Sequence, residues 1–273
     1  MGSSDDFELG RGDAVWVPTI GSPAGQIKWS LLLNRVFRAE RVNAVATPLD
    51  LPPPALPGFL DLVRASASIL GFSATIPHKI PLVPLMDALT PRATRANAVN
   101  AVVKDRTSGR LTGDIIDGIG FVRSLTREGL SLDGRRVLVF GAGGVARAIV
   151  SSILDEGVGA VAVTDLDPAR RQEIAAIDPT RISALPVEEA NRRLAEFDIV
   201  VNATPLGMRA VDPLPFDPAG CVRQATIFDC VNAPGGTPLS HRAAGLGRRF
   251  IDGSGMLELQ LDGFLKLLGL RPA

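Results

Sequence analysis

A lysine two residues past a proline closes the run Gly71-Phe-Ser73-Ala-Thr75-Ile-Pro77-His-Lys79, just beyond a stretch that reads as an apolar strand. Further along, Asn97-Ala-Val-Asn100 and Gly113-Asp-Ile-Ile-Asp117-Gly118-Ile-Gly120-Phe121 set an amide and a carboxylate near the ends of other short apolar runs. An amine and a carboxylate at strand ends could serve together as an acid–base pair. An amine serves as base where burial brings its pKa toward the working pH, while a nearby carboxylate orients it and opposes the fall. Taken singly, Lys79 reads as a solvated turn residue and Asp117 as a helix N-cap ahead of Gly118.

A second constellation reads as a dinucleotide site. Val137-Leu-Val-Phe140 runs directly into Gly141-Ala142-Gly143-Gly144-Val145-Ala146 and then into an apolar-periodic helix from Ala148. Between a strand and a helix, Gly141 permits the tight turn, Gly143 lets backbone approach a pyrophosphate, and Ala146 allows close helix–sheet packing. The first amides of that helix would face the phosphates. Asp165 ends the next strand about 20 residues on, where an acidic side chain meets ribose hydroxyls. A carboxylate there repels a 2′-phosphate, so NAD is favoured over NADP. Arg170 and Arg171 follow closely; they read either as a solvated helix face or as guanidinium groups able to turn toward a phosphate.

These groups need elements to hold them. Short β-branched or apolar runs alternate with helical apolar spacing, the pattern of an α/β fold with mainly parallel sheets. Strands are expected near 14–20, 42–47, 68–74, 98–104 and 110–113, with helices such as 30–39 and 57–65. The second half is more regular, with buried strands at 137–140, 160–164, 199–202, 227–231 and 249–251, which suits a Rossmann sheet. The segment 255–268 carries a helical apolar stripe and is expected to pack back on the first domain.

With 273 residues, 46% of them hydrophobic, the chain can bury two moderate cores. Basic and acidic residues balance at 29 each, so no net field favours nucleic acid or an anionic membrane, and a small molecule fits better as partner. Cys221 and Cys230 lack metal or redox spacing and read as reduced core residues. The acidic start, Met1 to Gly12, reads as a frayed tail without signal-peptide character. No apolar stretch reaches the roughly 18 to 20 residues of a membrane span, so a cytoplasmic protein is expected.

In this order, ahead of a Rossmann unit, the motifs resemble the shikimate dehydrogenase family. Its signatures run Gly-x-Asn-Val-Thr-x-Pro-x-Lys, Gly-Ala-x-Asn-Thr and Gly-x-Asn-Thr-Asp-Gly-x-Gly-Phe. The resemblance continues through Asn202-Ala-Thr204-Pro205-Leu206-Gly207-Met208 and Asp252-Gly253-Ser-Gly255-Met256-Leu257-Glu-Leu-Gln260. It implies an N-terminal α/β substrate domain and a C-terminal Rossmann domain with a cleft between them. The expected boundaries are 1–117, completed by the C-terminal helix 254–273, and 118–253. It also implies Lys79 and Asp117 as the catalytic pair, with Thr75, Ser73, Asn100 and Gln260 as hydroxyl-binding groups. Thr204, Pro205, Leu206, Met208, Val231, Gly253 and Met256 would lie along the cofactor.

The departures fall mainly on recognition of the substrate's acid group. The family pattern Gly-x-Pro-x-x-x-Ser-x-Ser-Pro supplies two hydroxyls, and an ungapped reading puts Ile27 and Trp29 in their places, whereas a one-residue slip restores Ser30. The chain has no tyrosine, so the family's Asp-x-x-Tyr-x-Pro stretch is altered around 228–234. Ser73 stands where the family has asparagine, and Ile115 and Ile116 precede the aspartate. Either Lys28 or Gln26 meets the acid group of a modified shikimate or quinate relative, or Lys28 is a surface lysine and Trp29 packs beneath the domain. Other readings are a folate-type methylene dehydrogenase, which matches the Asn100 and Asp117 motifs poorly, and a non-catalytic metabolite sensor. Monomer and homodimer are both compatible with the sequence.

Overall fold

A computed structural model describes residues 10–272; most of the acidic opening segment, positions 1–9, lies outside the described residues. The chain divides into two compact units, the described residues within Met1–Ile116 and Leu261–Ala273 forming one and Asp117–Gln260 the other. Among the described residues no helix is long and apolar enough to cross a membrane.

The first unit is built on six strands: β1 (Val15–Gly21), β2 (Ala44–Asp50), β3 (Gly71–Ala74), β4 (Ala88–Leu89), β5 (Ala101–Lys104) and β6 (Leu111–Asp114). They run in the order β2-β1-β3-β5-β6-β4. Helices α1 (Trp29–Ala39), α2 (Leu56–Ala65) and α3 (Pro91–Ala96) connect them. α1 buries Trp29, Leu33 and Phe37, spaced by four, so one stripe faces the sheet. On α2, Phe59 meets Phe72 of β3 edge-to-face at 5.0 Å.

The expected mainly parallel pairing holds for β2-β1-β3 and for β6-β4, and one strand departs from it. The sheet is mixed, because β5 runs antiparallel to both β3 and β6. Periodicity reports which residues are buried and carries no strand direction, so the inversion is not visible in the pattern. It places the start of β5 beside the ends of β3 and β6.

The second unit carries β7 (Arg136–Phe140), β8 (Ala160–Thr164), β9 (Ile182–Leu185), β10 (Ile199–Asn202), β11 (Thr226–Asp229) and β12 (Arg249–Asp252). Its sheet is parallel throughout, in the doubly wound order β12-β11-β10-β7-β8-β9. Around it lie α4 (Asp117–Arg127), α5 (Gly144–Ile153), α6 (Pro168–Ala175), α7 (Val187–Arg192) and α8 (Pro238–Gly245), while α9 spans Ser254–Leu267. Val137, Val139, Val163, Val201 and Phe228 form one core layer with Ile149 of α5 and Phe121 of α4.

β9 is missing from the expected strands: its run Ile182-Ser-Ala-Leu185 carries a single β-branched residue and is followed at once by Pro186. β11 stops at Asp229, short of Val231, because the Asp229 carboxylate accepts the Val231 N–H at 3.0 Å and turns the chain. Neither Cys221 nor Cys230 is in a disulfide, and burial pushes the Cys221 thiol up to about 11.

α4 and α5 pack through Gly118, where a Cβ would sit 2.2 Å from the Ala148 carbonyl oxygen. Gly118→Ala is therefore expected to destabilise the protein by about 1 to 3 kcal/mol through overpacking. Thermal unfolding should show the melting temperature lowered by about 3 °C or more; an unchanged value would rule out close α4–α5 contact at this point.

Candidate active site

Beyond β3 the chain turns back through Thr75–Ile80, and this turn is fastened to three other segments. Thr75 N–H donates to the Ile20 carbonyl (2.9 Å), Ser22 N–H to Ile76 (3.0 Å) and Val99 N–H to Lys79 (2.7 Å). His78 is fully buried, with Nε2 2.7 Å from the Leu51 carbonyl oxygen. Since a carbonyl only accepts, Nε2 carries the proton; burial lowers the pKa of the ring, keeping it neutral. Lys79, held between these anchors, is 7% exposed. Lys104 is as buried, but its ammonium closes the C-terminal end of α2 by donating to the Val63 and Ser66 carbonyls.

The strand ends beside this turn carry a chain of buried hydroxyls. Ser30 Oγ donates to Thr19 Oγ1 (3.1 Å), which shares a hydrogen with Ser73 Oγ (2.8 Å). Ser30 and Ser73 are thus brought together by Thr19, a residue the sequence reading passed over as an ordinary strand position. Two residues on along both strands, Thr75 lies against Gly21, where a Cβ would meet the Thr75 methyl at 2.6 Å and an Ile27 methyl at 3.2 Å. Lys28, half-buried, precedes α1 and its carbonyl accepts from Leu31 and Leu32. Trp29 is buried and meets Phe264 edge-to-face at 5.6 Å. The side chain of Gln26 lies outside the described residues.

Asn100 joins β3 to the exit of β6. Its carbonyl accepts from Ala74 N–H (2.8 Å), its N–H donates to the Asp114 carbonyl (2.9 Å), and its side-chain Oδ1 accepts from Ile116 N–H (2.8 Å). Asp114 was also missed, although Arg92 and Thr90 are the signal: both lie in the short segment preceding and opening α3. Its buried carboxylate accepts from Thr90 Oγ1 (2.6 Å), Arg92 Nε (2.6 Å) and Ile115 N–H (2.8 Å). Burial alone would raise the Asp114 pKa, but these hydrogen bonds and the Arg92 charge outweigh it and hold the carboxyl below its ordinary value.

In the second unit Asp117 is the first residue of α4 and is buried. Gly141 turns the chain out of β7 at φ +104°, with the Ala203 carbonyl oxygen only 2.8 Å from where its Cβ would stand. Gly143, extended at the N-cap of α5, has nothing within 4 Å of its Cβ position, and Gly144 and Val145 open the helix half-buried. Ala142 and Ala146 are buried against the sheet. Open space over Gly143 and unbonded amides at the start of α5 fit a dinucleotide pyrophosphate.

At the end of β8, Asp165 Oδ2 accepts from Ala142 N–H (2.7 Å) and Oδ1 from Asp167 N–H (2.9 Å). The two arginines are engaged locally: Arg170 pairs with Asp167 at 3.4 Å, and Arg171 donates to the Asp165 carbonyl at 2.9 Å. Beyond β10, Asn202 accepts from the Thr204 N–H and hydroxyl and donates to the Leu206 carbonyl (2.9 Å), building a tight turn that carries Pro205 and Met208 at the surface. Val231 follows β11 half-buried. Gly253 passes close to the Cys230 carbonyl, and Gln260 Nε2 donates to the Met256 carbonyl (3.0 Å), both residues buried.

A sequence model described as the shikimate dehydrogenase substrate binding domain matches residues 19–102, and one described as shikimate / quinate 5-dehydrogenase matches residues 124–209. A shikimate dehydrogenase (NADP(+)) from Rhodospirillum rubrum is 36% identical over 268 residues, covering 96% of this chain and 94% of its own. Quinate dehydrogenase from Corynebacterium glutamicum in complex with NAD has a TM-score of 0.83 at 28% identity, over 95% of each chain. Shikimate 5-dehydrogenase from Thermus thermophilus in complex with NADP(H) and shikimate gives 0.82 at 28% identity, again over 95% of each chain.

Because the Asp114 carboxyl is held below its ordinary pKa, its contribution is fully present above about pH 4 and is lost as pH falls through the folded value. Asp114→Asn should cost about 1 to 3 kcal/mol at neutral pH. In urea unfolding, the gap from the unaltered protein should narrow at about pH 3; a gap independent of pH would mean the ionised carboxylate contributes nothing.

Proposed function

The chain belongs to the shikimate dehydrogenase family, and we propose that it interconverts a secondary alcohol and a ketone on a shikimate- or quinate-like cyclic hydroxy acid, preferring NAD as its nicotinamide cofactor. The observation that carries the reading is the buried Lys79, set in a turn fastened at Ile20, Leu51 and Val99. In this reading residues 1–117 with the helix 254–273 bind the substrate, and residues 118–253 bind the dinucleotide.

Lys79 takes the proton from the hydroxyl on the carbon being oxidised and returns it in the reverse direction. When bound, the nicotinamide accepts the hydride that leaves that carbon. Asp117 orients the lysine and accepts a hydrogen bond from a ring hydroxyl. Thr75, Asn100 and Gln260 hydrogen-bond to further hydroxyls, and Ser73 adds one through the Thr19 chain. Asn100 can do so while it holds Ile116, because its Nδ2 remains available as a donor.

NAD preference rests on the carboxylates after β8. Asp165 and Asp167 put negative charge where a 2′-phosphate would arrive, and the guanidinium groups of Arg170 and Arg171 are turned onto Asp167 and the Asp165 carbonyl. The R. rubrum relative is named for NADP, so this is a point on which the chain would differ from that relative. The acid end of the substrate is the other. Ile27 lies beside Gly21 and Thr75, and Trp29 is packed on Phe264, so neither supplies a hydroxyl there; in this reading Lys28 or Gln26 meets the acid group of a modified shikimate or quinate.

A reduction screen with NAD and NADP over shikimate, quinate, their amino analogues and related cyclitols tests both points. The expected outcome is a higher kcat/KM with NAD than with NADP. Shikimate should turn over about two to three decades less efficiently than the best substrate, because its carboxylate would arrive without the two hydroxyls that the family pattern supplies. Faster turnover with NADP would overturn the cofactor preference, and shikimate at ordinary efficiency would overturn the altered acid end.

A further inference from the structure

Asp229 ends β11 with a fully buried carboxylate that faces amide and hydroxyl donors. Its Oδ1 accepts from Asn202 Nδ2 (2.9 Å) and Val231 N–H (3.0 Å), and its Oδ2 accepts from Thr237 Oγ1 (2.7 Å). Each donor belongs to a different structure. Asn202 ends β10 and builds the turn through Thr204 and Leu206; Val231 begins the loop after β11; Thr237 caps α8 in a reciprocal capping box with Ser240. The two loops touch beyond the carboxylate, since a Cβ on Gly207 would stand 3.4 Å from Thr237 and 3.9 Å from a Val231 methyl.

Burying a carboxylate without a cation is costly and is tolerated when its lone pairs are met. Burial does raise the Asp229 pKa, the hydrogen bonds oppose this, and the Asp252 charge on the neighbouring strand adds to the rise. A neutral side chain would spare that cost if this corner served stability alone. What the carboxylate provides is geometric: two acceptor atoms that fix two loops and a helix start against one another.

We propose that Asp229 is a positioning residue that sets the wall of the nicotinamide subsite, holding the 202–208 turn and the loop at Val231 in one fixed arrangement. The inference rests on the reading that Thr204, Leu206, Met208 and Val231 lie along the nicotinamide. Asp229 touches neither substrate nor cofactor in this account. Its removal loosens the nicotinamide end of the site and leaves the Gly141–Ala146 loop and Asp165, which hold the adenosine end, as they are.

Titration of the full chain with NADH and with ADP-ribose, which lacks the nicotinamide, separates the two ends. Asp229→Ala should weaken NADH by about tenfold, the equivalent of one or two buried hydrogen bonds, while ADP-ribose stays within about twofold. Asp229→Asn keeps an acceptor for Val231 and Asn202 and should lower the NADH preference by only about threefold, giving a readable effect if the alanine variant fails to fold. An unchanged affinity ratio in the variants that fold, or an equal loss of both ligands, overturns the proposal. Met208→Ala identifies which step failed. If it shifts the ratio and Asp229→Asn does not, the positioning role falls; if neither does, the assignment of the loop to the nicotinamide falls with it.

Discussion

Two adjacent residues just ahead of an inverted strand fasten the Lys79 turn and the exit of β6 in the first unit. Val99 fastens the Lys79 carbonyl through its N–H, and Asn100 fastens Ala74, Asp114 and Ile116 through its carbonyl, N–H and side chain. Because β5 runs against β3 and β6, its first residues lie where both neighbours finish. In a wholly parallel sheet the start of β5 would lie at the opposite edge, away from the Lys79 turn. The antiparallel placement therefore decides where the lysine turn and the segment leading to Asp117 leave the sheet. Burial of the surrounding polar groups follows from it, since each needs a partner once water is excluded.

The second unit works differently. Its sheet is parallel, so the loops after β7, β8, β10 and β11 leave the carboxyl ends of the strands, with β7 and β10 adjacent at the reversal of strand order. Close backbone approach at Gly141 and the hydrogen bond from Ala142 to Asp165 tie the glycine turn to the strand beside it. Asp165 thus supports the glycine turn through one oxygen and the Asp167 amide through the other. Asn202 and Asp229, paired in register on β10 and β11, do for the other loops what Ala142 and Asp165 do for this one.

The sequence made the glycine fingerprint and the lysine and aspartate motifs legible because each depends on local spacing: a strand, a turn and a helix start in contiguous residues. The second sheet could be read almost strand by strand for the same reason, apart from the four residues of β9. Thr19, Asp114 and Asp229 were not legible. Each is a common polar residue at the end or middle of a strand, and its role comes from a partner brought in by register or by a distant segment. Thr19 meets Ser73 only because β1 and β3 pair at those two positions. His78 lay in plain view beside Lys79, yet its acceptor is Leu51, reached through the return of the chain after β2. Strand direction was the other silent quantity, and it was the one that placed Asn100.

Lys79 is the group proposed to carry the hydroxyl proton, and exchange of its side chain tests that most directly. Steady-state turnover of Lys79→Ala on the best substrate should fall by about two to four decades in kcat, as expected for loss of a general acid–base group. Cofactor affinity, measured by titration with the reduced dinucleotide, should be unchanged. Retention of kcat in the folded variant would contradict the account and remove the lysine from the mechanism.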